Sequence, residues 1–208
     1  MTRAFTSRER FSHRGRFWQF EDIVVEPPPA QQPHPPFWVA AGSEPSIRRA
    51  AARGFNLILD QYASTAQIAE RIGVYRAERK ARGLGFNPMQ VAVARQLYVA
   101  NDAADKKTAL ARQAAYTQRT VDVSRAPAKS GGSHVLAYAD KAGGTEENAL
   151  FGTPDEICAG LAALRDAGVH YVLFTIAGGR EQMRRFARDI MPAFAGAAAA
   201  TAAADAAE

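Results

Sequence analysis

Short apolar stretches alternate with longer segments of helical periodicity along most of this chain, and this alternation constrains the fold more than any other feature. Each apolar stretch is short enough for a buried strand, and apolar residues recur at helical spacing in the segment that follows it. Such alternation is typical of a parallel sheet covered by helices. The sequence therefore predicts an α/β fold. The predicted strands are residues 37–41, 56–59, 91–100 and 170–174.

Capping residues mark where the predicted helices begin. Ser43 can cap the helix after the first strand, and Asp102 can cap the one after the third. The segment "TPDE", residues 153–156, has the form of a capping box with proline at the first helical position. The last helix is expected to pack one apolar face on the sheet. That face consists of Met183, Phe186, Ile190 and Phe194.

Three segments depart from the alternation. Residues 27–36, "PPPAQQPHPP", are too rich in proline for a helix or a central strand and form a connector. Residues 123–150 are glycine-rich and longer than an ordinary connection, which is typical of a functional lid or of disorder. We expect a mobile lid there. Residues 196–208 are an alanine-rich tail, so residues 1–195 form the predicted domain.

Composition excludes several classes of protein. No run approaches the roughly 18 apolar residues of a membrane-spanning helix, so the sequence predicts a soluble protein without a membrane partner. Cys158 is the single cysteine, which excludes an intrachain disulfide and fits a reducing cytoplasm. The Arg- and Ser-rich start could pass for an organelle transit peptide, but it lacks the apolar block of a secretory signal.

Charge and histidine spacing exclude two kinds of site. The formal net charge is +5, but the basic residues are scattered rather than clustered on one element. We therefore expect a solvated surface and no nucleic-acid partner. The four histidines show no metal-ligand spacing, so we expect no metal site.

The segment "WVAAGSEPS", residues 38–46, carries the clearest candidate site. Gly42 allows a ligand to approach the backbone, and the hydroxyls of Ser43 and Ser46 can join free amides of the first helical turn in binding phosphate. The same residues have a purely structural interpretation, in which Ser43 caps the helix and no ligand binds. The turn lacks a full glycine-rich fingerprint, so both interpretations stay open on this segment alone.

A longer series of segments resembles the C-terminal half of the luciferase-like flavin-dependent oxidoreductases. These segments are "GRFWQFEDIVVEPPPAQQPHPPFWVAAGSEPSIRRAAARGFNLIL", "FGTPDEICAGLAALRDAGVHYVLF" and "RRFARDIMPAF", and the resemblance covers about residues 8–195. Members of this family are TIM barrels that bind reduced FMN or, in one branch, a deazaflavin, and most are monooxygenases. The resemblance implies that Ala41, Gly42, Ser43 and Ser46 hold the flavin phosphate.

The predicted strand count implies that only part of the barrel is present. A TIM barrel has eight βα units and about 250 residues, whereas this chain has four predicted units, corresponding to the last four. The expected architecture is therefore a partial TIM (β/α)8 barrel with an inserted loop region. The missing half supplies much of the flavin-ring pocket in this family, so no catalytic residue can be assigned from the resemblance.

Arg95 is a candidate substrate contact because it lies in the middle of a predicted strand. Some family members, including those that act on sulfonates, have an active-site arginine on the corresponding strand, and a structural ion pair with a carboxylate is the alternative. Asp60 and Gln61 end the preceding strand on the presumed ligand side, where capping of the next helix explains them equally well.

Three functions are consistent with these features. The first is a monooxygenase that uses reduced FMN and oxygen on a small organic substrate and that is inactive as an isolated half. The second is a half-barrel that binds flavin or a partner without catalysis, and the third is a deazaflavin-dependent reductase. Four parallel strands cannot close a barrel, so we expect a homo-oligomer or a complex with a complementing N-terminal half.

Overall fold

A computed structural model describes residues 2–124 and 148–196 of the chain. The chain divides into two compact units, Met1–Trp38 and Val39–Glu208. The predicted lid, residues 123–150, lies mostly outside the described residues, as do residues 197–208 of the alanine-rich tail.

The first unit contains a short helix and a hairpin that the apolar periodicity did not predict. Helix α1 spans Thr2–Thr6, and strands β1 (Phe11–Arg14) and β2 (Gln19–Ile23) pair antiparallel. The turn closes with a hydrogen bond from the Gly15 amide to the Trp18 carbonyl at 2.9 Å. Most residues of both strands are exposed. Strands without a buried face lack the apolar alternation by which strands are recognised in a sequence.

The second unit contains the alternating elements. Its strands are β3 (Trp38–Ala40, which begins at the unit boundary), β4 (Asn56–Leu59), β5 (Val91–Val99), β6 (Leu150–Gly152) and β7 (Tyr171–Ile176). Its helices are α2 (Glu44–Ala52), α3 (Thr65–Ala81), α4 (Ala103–Ser124), α5 (Pro154–Asp166) and α6 (Gly179–Asp189), and a 3-10 turn at Pro88–Gln90 precedes β5. The four predicted strands correspond to β3, β4, β5 and β7, whereas β6 was not predicted.

Strand β5 is the centre of the sheet. It pairs parallel with β4 at its start, with β6 at its end and with β7 along six residues between Ala92 and Leu97. Leu97 pairs with both Leu150 of β6 and Ile176 of β7, so these strands lie on opposite sides of β5. The order is therefore β3-β4-β5-β7, with β6 beside the end of β5 on the β4 side.

Helices cover one face of this sheet. The odd-numbered residues of β5 are buried, and all of them except Arg95 belong to one core cluster with residues of the helices, such as Ile68 of α3 and Ile157 of α5. Even-numbered residues of β5 point to the opposite face, where Ala94 and Gln96 are half-buried. The sheet forms part of a parallel α/β barrel and does not close, which confirms the predicted partial barrel.

The capping predictions are confirmed at two helices. The Asp102 carboxylate accepts a hydrogen bond from the Asp105 amide at 2.9 Å at the start of α4. Thr153 and Glu156 form the expected reciprocal capping box of α5. The apolar face predicted for the last helix is wrong at Met183, which is 56% exposed, while the neighbouring Gln182 is 7% exposed.

Candidate functional site

The segment "AGSEPS" forms the turn between β3 and α2, at the carboxyl end of β3. The Ala41 amide donates to the Ile58 carbonyl of β4 at 3.2 Å, which ties the start of the turn to the sheet. Ser43 is the residue before the first turn of α2, and its carbonyl accepts from the amides of Ser46 and Ile47, each at 3.0 Å. The turn is thus bonded to the sheet at its start and to helix α2 at its end, and its own amides lie at a helix N-terminus.

Three amides of this turn have no hydrogen-bond acceptor in the described part of the chain. Among the described residues, no acceptor is found for the amides of Gly42, Ser43 and Glu44. The side chain of Ser43 makes no helix-capping bond and donates instead to the Ser46 hydroxyl at 2.9 Å. Free amides at a helix N-terminus attract anions because the helix dipole places partial positive charge there.

Arg49 adds a cation to this turn that the sequence analysis did not identify. Its Nη2 atom donates to the Ser46 hydroxyl at 3.0 Å, so the guanidinium lies beside the two serines. Its position three residues after Ser46 on α2 was the available signal, because residues three apart share one face of a helix. The neighbouring Glu44 carboxylate is paired with Arg48 at 2.7 Å, which offsets its repulsion of an anion.

These residues fit the phosphate end of a mononucleotide cofactor. The turn offers unpaired amides, two hydroxyls and one guanidinium on an exposed surface, and phosphate oxygens accept from all three kinds of donor. The four residues predicted from the resemblance, Ala41, Gly42, Ser43 and Ser46, are adjacent in space by virtue of this single turn.

Arg95 lies apart from this turn, on β5, and its side chain is 2% exposed. Its guanidinium donates to the backbone carbonyls of Asp60 at 3.1 Å, Ala63 at 2.8 Å and Ala94 at 2.9 Å. Arg95 shares the helix-covered side of β5 with Val93 and Leu97, whose side chains belong to the core cluster. Gln96, the next residue, points to the opposite side of the sheet.

Asp60 has a structural role at the end of β4. Its carboxylate accepts from the amides of Tyr62 and Ala63, at 2.9 and 3.0 Å, and pairs with Arg71 of α3 at 2.9 Å. The actual cap of α3 is Ser64, which accepts from the Gln67 amide in a capping box. These bonds hold the loop between β4 and α3 at the carboxyl edge of the sheet.

A second glycine turn, between β7 and α6, was not predicted as part of a site. Gly178 and Gly179 have φ of 93° and 71°, a left-handed conformation that glycine adopts without strain. Gln182 holds this turn against β5, because its side chain accepts from the Val99 amide at 2.7 Å and donates to the Val99 carbonyl at 3.2 Å. A Cβ on Gly178 would lie 2.8 Å from Gln182 Cγ, so the close approach also requires glycine.

Comparison with known proteins identifies the family. The sequence profile of luciferase-like monooxygenases matches residues 1–171. The chain belongs to the luciferase-like monooxygenase family. This membership confirms the resemblance drawn from the sequence.

Individual relatives are distant and longer than this family member. The FMNH2-dependent dimethylsulfone monooxygenase of Pseudomonas putida is 24% identical over 203 residues, which cover 89% of this chain and 53% of that protein. The chain therefore spans about half the length of this relative. A second match, to the oxygenase component of flavin-dependent trigonelline monooxygenase from Acinetobacter baylyi, is 45% identical over 47 residues, covering 23% of this chain and 13% of that protein.

Solved structures show the same fold. Monooxygenase RslO1 from Streptomyces bottropensis superimposes with a TM-score of 0.72 at 22% identity, covering 93% of this chain and 58% of that one. An F420-dependent secondary alcohol dehydrogenase superimposes with a TM-score of 0.70 at 15% identity, covering 92% and 58%. Within the described residues, no helix is both long and apolar enough to span a bilayer.

Proposed function

We propose that this chain binds reduced FMN through the turn between β3 and α2 and forms part of a monooxygenase that acts on a small organic substrate. The observation that supports it is the set of free amides at Gly42, Ser43 and Glu44, with the Ser43 and Ser46 hydroxyls beside Arg49. The similarity to an FMNH2-dependent monooxygenase supports the choice of cofactor.

In this proposal the protein binds and orients, and the cofactor supplies the redox chemistry. Reduced flavin, when bound, supplies the electrons with which oxygen is activated. The turn holds the phosphate, which leaves the rest of the cofactor to extend over the carboxyl edge of the sheet. Residues on the face of β5 opposite the core cluster, such as the half-buried Gln96, are candidates to contact the cofactor. In this proposal Arg95 acts on the substrate indirectly. It donates to the carbonyls of Asp60 and Ala63 and so positions the loop that follows β4.

The proposed enzyme is complete only with further strands. The chain spans about half of its relative, so we infer that a complementing N-terminal half, or a second copy of the chain, contributes the rest of the site. A deazaflavin-dependent reductase is the second candidate function, supported by the F420-dependent structural neighbour. A flavin-binding half-barrel without catalysis is the third.

The test compares the binding of two ligands, FMN and riboflavin, by three variants. Ser43→Ala should weaken FMN binding by about 1 to 2 kcal/mol, the scale of one hydrogen bond to a charged group. Arg49→Gln should weaken it by a similar amount, whereas Arg53→Gln, at the far end of α2, should not. Riboflavin lacks the phosphate and should be insensitive to all three changes, as measured by titration of protein fluorescence or by calorimetry.

Two outcomes would contradict the proposal. Equal losses for FMN and riboflavin would mean that the turn does not bind phosphate. Tight binding of a deazaflavin cofactor together with weak binding of FMN would favour the reductase instead. Substrate turnover with either cofactor is best measured on the chain mixed with its complementing half.

A further inference from the structure

The hairpin of the first unit has a row of rings on one face. Phe11 of β1 lies opposite Ile23 of β2, and His13 lies opposite Phe20. Residues opposite each other in a sheet share a face, and so do residues two apart in an extended chain, which places Trp18 beside Phe20. Phe11 is 8% exposed, whereas Trp18 is 71% and Phe20 is 44% exposed. This face therefore exposes large rings to solvent.

A bulge in β2 keeps the face continuous. Phe20 and Ile23 are three residues apart, a spacing that puts two side chains on opposite faces of a regular strand. Between these two residues β2 has one residue more than β1, and Asp22 has a left-handed φ of 48°. The Asp22 amide donates to the Ser12 hydroxyl at 3.0 Å, which holds the bulge against β1. The bulge thus returns Ile23 to the face that carries the rings.

A pocket of about 420 Å³ is lined by this face and by helix α1. Its wall includes the rings of Phe11, His13, Trp18 and Phe20 and the side chain of Arg3. The volume falls within the range of roughly 300 to 1,000 Å³ that is typical of small-molecule sites. Aromatic side chains stack on the rings of a ligand with a gain beyond the area that is buried. The wall therefore favours a flat, conjugated ligand.

Arg3 gives the pocket a positive charge. Its guanidinium lies over the Phe11 ring, 4.9 Å from the ring centre, and its Nη1 atom donates to the Ser12 carbonyl at 3.2 Å. That bond uses one of its five N–H groups. Among the described residues, Arg3 forms no ion pair and the wall of the pocket contains no carboxylate. The charge of the pocket is thus complementary to an acidic ligand, since a guanidinium binds a carboxylate through paired hydrogen bonds.

We propose that this pocket binds a small aromatic carboxylate, whose ring stacks on Trp18 and Phe20 and whose acidic group pairs with Arg3. An uncharged ring would lose the ion pair, and an aliphatic acid would lose the stacking, so both should bind more weakly. All residues of the wall belong to the first unit. The site therefore shares no residue with the turn between β3 and α2 and is additional to the proposed flavin site.

The test is equilibrium dialysis of the full chain against 2-naphthoate, whose free concentration is measured by absorbance in the chamber without protein. Saturable binding is expected. The uncharged analogue 2-naphthamide should bind about tenfold more weakly, the loss expected for one charge-assisted hydrogen bond. Arg3→Gln should raise the Kd of 2-naphthoate by a similar factor and leave that of the amide unchanged. Arg8→Gln is the matched control, because Arg8 is exposed and lies outside the wall, and it should have no effect.

A second pair of variants tests the stacking. Trp18→Ala should raise the Kd of both probes about fivefold, which lies within the range measured for aromatic pairs. Phe17→Ala is the matched control. Phe17 is the adjacent residue and is 79% exposed, but its ring contacts Arg16 and lies outside the wall. Because both side chains are exposed, neither change should impair folding, and this pair decides if Arg3→Gln does not fold.

Several outcomes would overturn the site. They are equal losses within either matched pair, binding of the amide as tight as that of 2-naphthoate, and the absence of saturable binding. Ser43→Ala should leave the Kd of 2-naphthoate unchanged, and a loss there would mean that the probe binds at the turn between β3 and α2 instead. If no probe binds and Trp18→Ala forms smaller assemblies than the native chain in light scattering, the pocket takes a side chain of a second copy.

Discussion

At the scale of single residues, Ser43 differs from Thr153, the residue at the corresponding position of α5. It occupies the capping position of α2, yet its hydroxyl bonds to Ser46 and not to a backbone amide. Thr153, at the start of α5, accepts from the Glu156 amide in a complete capping box. The first amides of α2 therefore receive no side-chain cap, whereas the Glu156 amide of α5 is bonded to its cap.

This difference predicts unequal costs for removing the two hydroxyls. Thr153→Ala should lower the free energy of unfolding by about 1 kcal/mol, the typical loss of a helix cap. Ser43→Ala should lower it by less than about 0.5 kcal/mol, because no amide loses its partner. Urea unfolding at one protein concentration measures both. Equal losses would mean that Ser43 is a structural cap, and its role in the proposed phosphate site would be lost.

Glu156 predicts a dependence of stability on pH. Hydrogen bonds from Lys106 and then from the Thr153 amide hold the pKa of Glu156 below its ordinary value of 4.5. Because the folded-state pKa is depressed, the carboxylate stabilises the fold above about pH 4.5, and that stabilisation is lost as the pH falls through the folded-state value. Glu156→Gln should therefore be less stable than the native chain at pH 7, and the difference should shrink below pH 4.5.

Thermal unfolding between pH 7 and pH 3 measures this difference. Glu70→Gln is the matched control, since Glu70 is exposed on α3 and forms no ion pair among the described residues. The stability of the Glu70→Gln variant should equal that of the native chain at every pH. A difference between Glu156→Gln and the native chain that stays constant down to pH 3 would show that the carboxylate charge is not the stabilising feature.

At the scale of elements, helix α6 depends on one polar side chain. Gln182 accepts from the amide of Val99 and donates to its carbonyl, as a neighbouring strand would, and Val99 is fully buried. The Val99 carbonyl also accepts from Arg185 at 2.7 Å, so it keeps a partner if Gln182 is removed. The Val99 amide has no acceptor other than Gln182 among the described residues. This contact holds the Gly178–Gly179 turn at the carboxyl edge of the sheet.

Gln182→Ala is therefore expected to destabilise the fold by about 1 to 3 kcal/mol, the cost of an unsatisfied buried amide. Met183→Ala, one residue further along the same helix, should change stability by less than about 0.5 kcal/mol because Met183 is exposed. Denaturant titration of the two variants gives both values. A larger loss of stability in Met183→Ala than in Gln182→Ala would support the apolar face that was predicted for this helix from the sequence.

At the scale of the whole molecule, the sheet has two open edges. β3 and β7 are the outermost strands, and each pairs with a single neighbour among the described strands. Residues of β7 are half-buried to exposed, and Ala94 and Gln96, on the face of β5 opposite the core cluster, are half-buried. Unpaired strand edges beside a partly apolar face favour association.

The isolated chain should consequently form oligomers or aggregate, and it should have little monooxygenase turnover even if it binds flavin. Light scattering of the purified chain, alongside an assay with reduced FMN and oxygen, measures both properties. Mixing with a polypeptide that contains the complementing half should yield a defined complex and raise the turnover. A monodisperse monomer that oxygenates a substrate would contradict the half-barrel interpretation.

The elements whose form depends on local sequence were predicted well. β4 begins and ends at the predicted residues, β5 differs by one residue at its end, and the capping box of α5 is at the predicted position. These features follow from interactions among residues a few positions apart, namely strand alternation and hydrogen bonds within one helical turn. The turn "AGSEPS" was recognisable for the same reason.

Tertiary structure decided the features that depend on distant contacts. The three-residue strand β6 forms only beside the end of β5, and Gln182 is buried in place of Met183 only because it bonds to Val99. Arg95 was predicted as a ligand contact from its place in a strand, but the face of the sheet to which it points depends on where the helices pack. Its partners lie 32 and 35 residues away in sequence, at Ala63 and Asp60, and local pattern carries no information about contacts at that separation.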